Sequence, residues 1–330
     1  MSRNGPRPAR ISRVMQRVTM KVVTKDTSAS SSGSFPGSRM LRTHQSPMAS
    51  QRPALRCDPM NATPPEPPTD ATPASSLDGL RFALGTLTVL PVRVARWDRA
   101  AARVGMACAP VAGLVVGGAA AVVAWFLGVL GVGPLLAAVL VVAVPVVLSR
   151  GLHLDGLADV ADALGSGRPA DEALRIMKRS DIGPFGVVTL LFALGAQVAA
   201  LAETGGGAPA AALVAGLVSR AALTWACRVS GPPSARPTGL GAGVARVVPV
   251  PAVVAALGGT VVVVAAAGAL SGGVAGALAA CCAVGLGLSA AEGLLWHCRR
   301  RFGGVTGDVL GAAAEVAGTT ALVTLAVARG

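Results

Sequence analysis

Three aspartates, Asp155, Asp159 and Asp162, recur at i, i+4 and i+7 in the segment GLHLDGLADVADALGSG. At about 100° per residue they fall near 0°, 40° and −20° on a helical wheel, with Leu157, Val160 and Leu164 on the opposite side. The polar face of this helix consists of carboxylates, with no Lys or Arg interleaved. Like charges at such spacing repel and raise one another's pKa unless cations neutralise them. A hard divalent cation does this well, and Mg²⁺ characteristically uses one or two carboxylates together with substrate phosphates. Asp155, Asp159 and Asp162 are therefore expected to be metal ligands in a catalytic site, the plain alternative being a solvated acidic face. His153, two residues upstream, could serve as a ligand, a proton acceptor, an anion contact or only a polar boundary residue.

Other polar clusters follow. In IMKRSDIGPFG (176–186), Lys178, Arg179 and Ser180 precede a Gly-Pro break, a placement that suits phosphate oxygens. ARPTGLGAG (235–243) is a Gly-rich loop carrying Arg236, and it matches neither a dinucleotide fingerprint nor a P-loop. In RRRFGGVTGDVLGAAAEV (299–316), Gly303, Gly304 and Gly307 would let backbone N–H groups approach an anion. There Asp308 opens a helix, as an N-cap or as a catalytic acid, with Glu315 seven residues on. Glu315 and Arg220 both sit in apolar runs, where an ionisable group is a functional candidate by default. Carboxylates, cations and glycine loops together suit Mg²⁺-dependent phosphoryl or nucleotidyl transfer.

The elements that must hold these residues are membrane helices. Of 330 residues, 52% are hydrophobic and 14% charged, against roughly 25% charged in an average soluble domain. The mean hydropathy is +0.62. Six cysteines form no C-x-x-C and three histidines accompany them, which supports neither a zinc site nor a disulfide scaffold. Seven apolar stretches approach the roughly 20 residues a spanning helix needs: 106–130, 133–149, 184–202, 209–227, 247–270, 272–296 and 308–328. Gly131–Pro134, Glu203–Pro209 and Ser271–Gly273 supply turns between paired spans. Before them, 80–92 is apolar but too short to cross, so it is expected to be interfacial or re-entrant. The expected fold class is all-α, a polytopic membrane protein of about seven helices.

The net charge of +13 could signal nucleic acid, yet its distribution points to the bilayer. With the segment before 106 placed in the cytoplasm, fifteen of the eighteen basic residues after position 79 fall on the cytoplasmic face. Only Arg329 falls on the other face. Every polar cluster then faces the cytoplasm. No nucleic-acid partner is expected, and a homo-oligomer is compatible with the pattern. Residues 1–76 are rich in Ser, Pro, Thr and Arg without apolar periodicity. They are expected to form a disordered extension or to precede a later start at Met40, Met48 or Met60, ahead of a membrane domain over 77–330.

LRFALGTLTVLPV (80–92), GLHLDGLADVADAL (151–164), MKRSDIGPFG (177–186), Ser219–Arg220, ARPTGLGAG and GGVTGDVLGAAAEV (303–316) resemble, in order and spacing, the motifs of the cobalamin synthase family, the adenosylcobinamide-GDP ribazoletransferases. The resemblance covers about 77–328. It departs at Arg179-Ser180-Asp181, where many members carry Asp-Ser-Arg, so no role is carried over to 179 or 181. It implies transfer of adenosylcobinamide phosphate from adenosylcobinamide-GDP to α-ribazole or its 5′-phosphate, with release of GMP, at the inner face of the bacterial cytoplasmic membrane. Mg²⁺ is the implied cofactor. Asp155, Asp159, Asp162 and Asp308 would be catalytic, and His153, Lys178, Ser180, Arg220, Arg236, Gly304, Thr306 and Glu315 would contact substrate.

Two rival readings stand beside this one. A CDP-alcohol phosphotransferase would use a similar acidic helix, but its usual signature sets an Arg after a D-G-x-x-A run, and here Asp159 follows Ala158. An ion-coupled transporter would hold its acids near the bilayer midplane, whereas these lie in a long connection between spans.

Overall fold

A computed structural model describes residues 73–179 and 181–329. The expected N-terminal extension lies outside the described residues except for its last few positions, and Ser180 lies outside them too. The described residues form eleven α-helices and one 3₁₀ turn, with no strand and only two isolated bridges. They run α1 (Ser76–Leu87), α2 (Arg99–Ala107), α3 (Ala109–Val129), α4 (Pro134–Leu148), α5 (Leu152–Gly165), α6 (Ala170–Ile176), α7 (Pro184–Glu203), α8 (Ala208–Ala226), α9 (Leu240–Val244), α10 (Val250–Phe302) and α11 (Gly307–Val327).

Five helices are long and apolar enough to cross a membrane: α3, α7, α8 with its preceding 3₁₀ turn, α10 and α11. The 53-residue α10 is a hairpin rather than a rod. Gly272 and Gly273 leave helical geometry, and Gly273 has φ 61°. A Cβ built on Gly268 would collide with the Gly276 carbonyl oxygen, so the two arms fold back against each other at the turn. This matches the turn expected at 271–273. The second expected span, 133–149, is the short one. Its helix α4 has 15 residues, about 22 Å at 1.5 Å per residue, less than the roughly 30 Å hydrocarbon core. It then bends by 90° into α5. Arg150 and Gly151, at φ 55° and 69°, make that break.

α8 and α11 form the centre of the bundle, while α3, α7 and the α10 hairpin present apolar flanks outward. Trp125, Phe126, Leu191, Phe192 and Leu270 are exposed there. Such a surface is stable against lipid and would be an aggregation site in water. Glycines also set a close contact between α3 and α8. Gly113 and Gly117 on α3 meet Gly216 on α8, where a Cβ at 216 would lie 2.5 Å from the Gly117 Cα. This is the small-xxx-small packing that dispersion favours in lipid.

The 80–92 segment does not span. A capping box between Ser75 and Asp78 starts α1. After Leu87 the chain runs extended, and the Val89 amide donates to the Leu148 carbonyl at 2.7 Å, tying this strap to the end of α4. Phe82 and Trp97 close it edge to face at 5.4 Å.

Candidate active site

The acidic residues meet where α5 crosses the start of α11. A Cβ at Gly156 would lie 2.6 Å from the Asp308 carbonyl oxygen, and one at Gly311 would lie 3.3 Å from the His153 Cα. Two glycines thus let the helices touch backbone to backbone. That contact puts Asp155 and Asp159 beside Asp308, a residue from near the other end of the membrane domain.

Thr306, not Asp308, caps α11: its hydroxyl accepts from the Val309 amide at 3.2 Å and donates to the Asp308 carboxylate at 3.1 Å. The N-cap alternative for Asp308 is therefore corrected. Capping by Thr306 leaves the Asp308 carboxylate facing the cluster, with Arg236 at 3.7 Å. The Arg236 guanidinium also donates to the Leu174 carbonyl at 2.5 Å. Thr306 is itself buried, and its hydroxyl meets the Met177 sulfur at 3.9 Å.

Like charge raises the affinity of this cluster for cations. Burial, then the charges of Asp155, Asp308 and Asp162, push the Asp159 carboxyl up to about 7, and Arg236 offsets only part of this. Among the described residues, no three acids or other ligands converge tightly enough to cage a metal by themselves. The donor set fits a hard cation held by one or two carboxylates and completed by substrate oxygens, which is the usual Mg²⁺ arrangement.

Asp162 has a structural job that the spacing did not announce. Its two oxygens accept from the backbone amides of Gly183 and Gly186 at 2.7 and 2.9 Å. It is buried and caps the start of α7 from across the fold. A side chain that accepts from two amides at a helix N-terminus anchors that helix, and Asp308 joins the acidic cluster from α11, where its charge acts on Asp159 together with those of Asp155 and Asp162.

Gly304 has a packing role. A Cβ there would collide with the Pro233 carbonyl oxygen. The Val305 amide donates to Pro233 and the Ala235 amide to Val305, at 2.8 and 2.9 Å. Gly304 serves backbone docking of the Arg236 loop onto the start of α11, and the amide of its neighbour Val305 is used in that docking.

His153, Arg220 and Glu315 lie inside the bundle, away from the acids' open face. His153 is buried against α11, and burial together with the Arg220 charge holds its imidazole well below the usual range, hence neutral. Arg220 is 2% exposed and donates to the Ser219 hydroxyl at 3.0 Å. Glu315 accepts from the Gln197 amide at 3.1 Å. It stands seven residues below Asp308, about 10 Å along the helix axis. Arg220, Glu315, Gln197 and Ser219 line an internal cavity of about 60 Å³. The structure brings these polar groups together within the bundle, apart from the acidic cluster. Lys178 and Arg179 are exposed at the end of the turn after α6.

One polar group escaped sequence reasoning. Glu292, on the second arm of α10, accepts from the Trp225 indole at 2.7 Å and from Arg228 at 3.0 Å. With Arg99, whose guanidinium donates to the Ala242 and Ala245 carbonyls, it holds the 227–249 loop that carries Arg236. A lone acid in an apolar run was the available signal, as it was for Glu315.

The family model described as cobalamin-5-phosphate synthase matches residues 79–326. The chain belongs to the cobalamin-5-phosphate synthase family. It is 40% identical over 266 residues to a protein of Frankia casuarinae named adenosylcobinamide-GDP ribazoletransferase, covering 74% of this chain and 93% of that one. A Nocardioides protein of the same name is 40% identical, covering 73% and 94%, and one from Corynebacterium efficiens is 42% identical, covering 76% and 92%. No solved structure matches. Membership in this synthase family sets aside the phosphotransferase and transporter rivals, and the matched region contains the whole α5–α11 crossing.

Proposed function

We propose that this multi-pass membrane protein is the transferase that moves adenosylcobinamide phosphate from adenosylcobinamide-GDP to α-ribazole or its 5′-phosphate, releasing GMP, in cobalamin assembly, working at the cytoplasmic face of the bacterial inner membrane. The observation that carries the site assignment is the meeting of Asp155, Asp159 and Asp308 beside Arg236 at the α5–α11 crossing. Family membership supplies the substrates.

In this reading the ribazole hydroxyl attacks the phosphorus attached to cobinamide. A new O–P bond forms, the bond to the bridging oxygen breaks, and GMP leaves with that oxygen. The hydroxyl proton passes to a carboxylate of the cluster that the metal leaves free. Arg236 and Lys178 neutralise phosphate charge. One or two of Asp155, Asp159 and Asp308 would hold Mg²⁺, with substrate oxygens completing its shell, and the metal when bound supplies electrostatic stabilisation to the pyrophosphate oxygens. Thr306 and Gly304 keep Asp308 and Arg236 in register.

The test is direct. Membranes containing the full chain are incubated with adenosylcobinamide-GDP, α-ribazole or its 5′-phosphate, and Mg²⁺. Cobalamin, or its 5′-phosphate, and GMP should form in equal amounts, and chelation should stop the reaction. GMP without a cobalamin product, or no turnover of either acceptor, defeats this reading.

A further inference from the structure

Asp155 faces two spaces. Besides the acidic cluster, it lines a cavity of about 580 Å³ bounded by Thr86 of α1, the Ser149–Leu152 break, Ala158, Ile182 and Leu190. Helical periodicity explains the double exposure. Around the α5 wheel, Asp155 and Ala158 fall to one side of Asp159, while Gly156 and His153, which face α11, fall to the other. The acids therefore separate the α11 side, where Arg236 stands, from this second cavity.

Among the residues that line the cavity there is one cation. Arg150 is exposed, and its guanidinium makes no hydrogen bond or ion pair among the described residues. Among the described residues it is also one of two non-glycine residues held at positive φ, at 55°, a conformation that costs free energy and persists only where the surroundings over-determine it. Here the Arg150 and Gly151 amides are bonded back to Val147 and Val146. Thr86 and Ser149 donate their hydroxyls to the Phe82 and Pro145 carbonyls at 2.6 and 2.7 Å, and the rest of the wall away from Asp155 is apolar, with Leu152 and Ile182 both exposed.

We infer that this cavity is the acceptor subsite: its apolar wall takes the ribazole ring, and Arg150 binds the 5′-phosphate. A planar guanidinium matches phosphate oxygens in a two-point fork. The ring is apolar and flat, and the acceptor hydroxyl must reach the acids through Asp155. The inference rests on the transferase reading above. It adds that a residue outside the acidic and glycine motifs, Arg150, makes the contact that separates the two acceptor forms.

The experiment measures kcat/KM for α-ribazole 5′-phosphate and for α-ribazole in membranes holding the full chain, and takes their ratio. In Arg150→Gln the ratio should fall by about tenfold or more, the loss typical of a charge-assisted phosphate contact. Arg150→Lys should recover part of it. Arg299→Gln, which removes a charge from the same face, should leave the ratio as in the wild type. Ile182→Ser should raise KM for both acceptors together, because it removes ring wall without touching the phosphate contact. An unchanged ratio in Arg150→Gln overturns the assignment and leaves Arg150 as a topology charge only. A ratio that falls equally in Arg299→Gln overturns it as well, since the effect is then general electrostatic steering. Failure of the wild type to convert either acceptor defeats the transferase reading instead.

Discussion

Gly156 on α5 rests directly on the backbone of Asp308 at the start of α11, so closely that a Cβ at 156 would lie 2.6 Å from the Asp308 carbonyl oxygen. The atom it would strike is backbone, which cannot swing aside. Gly156→Ala should therefore part the two helices and separate Asp155 and Asp159 from Asp308. Turnover should fall by about 10²-fold, since misplacement by about 1 Å can cost that much, with membrane insertion retained. Gly285→Ala, at a site with no neighbour within 4 Å, should keep wild-type kinetics. Equal activity in the two variants would show that the crossing does not set the site.

The acids should divide by role. Asp155→Asn, Asp159→Asn and Asp308→Asn should each lower kcat by about 10²-fold or more, by analogy with other lost transition-state charges. The cost of Asp159→Asn combined with Asp308→Asn should be less than the product of the single effects, as for groups acting as one unit. Asp162→Asn should instead show as instability. An amide oxygen can keep one of the two α7 contacts, and losing the other costs about 1–3 kcal/mol. Thermal unfolding in detergent separates the two classes. A variant at 162 that is as stable as wild type but inactive would return Asp162 to the catalytic set.

Asp159 predicts a pH dependence of defined sign. Its folded value of about 7 lies above the ordinary 3.8. The folded chain therefore holds a proton there that the unfolded chain releases. Stability is lost as pH rises from the ordinary carboxylate range to about 7, and the full cost stands above it. A cation that replaces the proton removes that cost. Added Mg²⁺ should raise the unfolding temperature more at about pH 8 than at about pH 5.5, and Asp159→Asn should flatten the difference. A Mg²⁺ shift equal at both pH values would count against a cation beside Asp159.

Topology is tested by reporter fusions. With the α10 hairpin as two arms and the α4–α5 pair counted as one pass, its α5 arm lying at the cytoplasmic surface, seven passes place the N-terminal side in the cytoplasm and the C-terminus outside. Fusions after Ser166 and after Gly206 should give opposite sidedness. Signals from the same side would remove this topology, and with it the cytoplasmic placement of the site.

Composition and charge placement were enough to read an all-helical membrane protein, because lipid admits so few solutions: a backbone without water must close its hydrogen bonds within each helix. The turns near Gly131, Gly205 and Gly273 were legible for the same reason, since a chain leaving a helix at positive φ calls for glycine. Local spacing also located the acidic helix, where Asp155 and Asp159 share a face with no reference to anything distant. That spacing could not show that Asp162, one turn further on, turns to the amides of Gly183 and Gly186. Nor could it show that Asp308 completes the cluster, or that Gly304 is required by the Pro233 backbone. Arg220 and Glu315 were legible as unusual, and only the bundle decided that they face inward. In each case the deciding fact is which helix lies across which. Helix period is a property of the nearest few residues. The α5–α11 crossing is instead set by backbone contacts between segments far apart in the chain, at glycines whose partners no local pattern names.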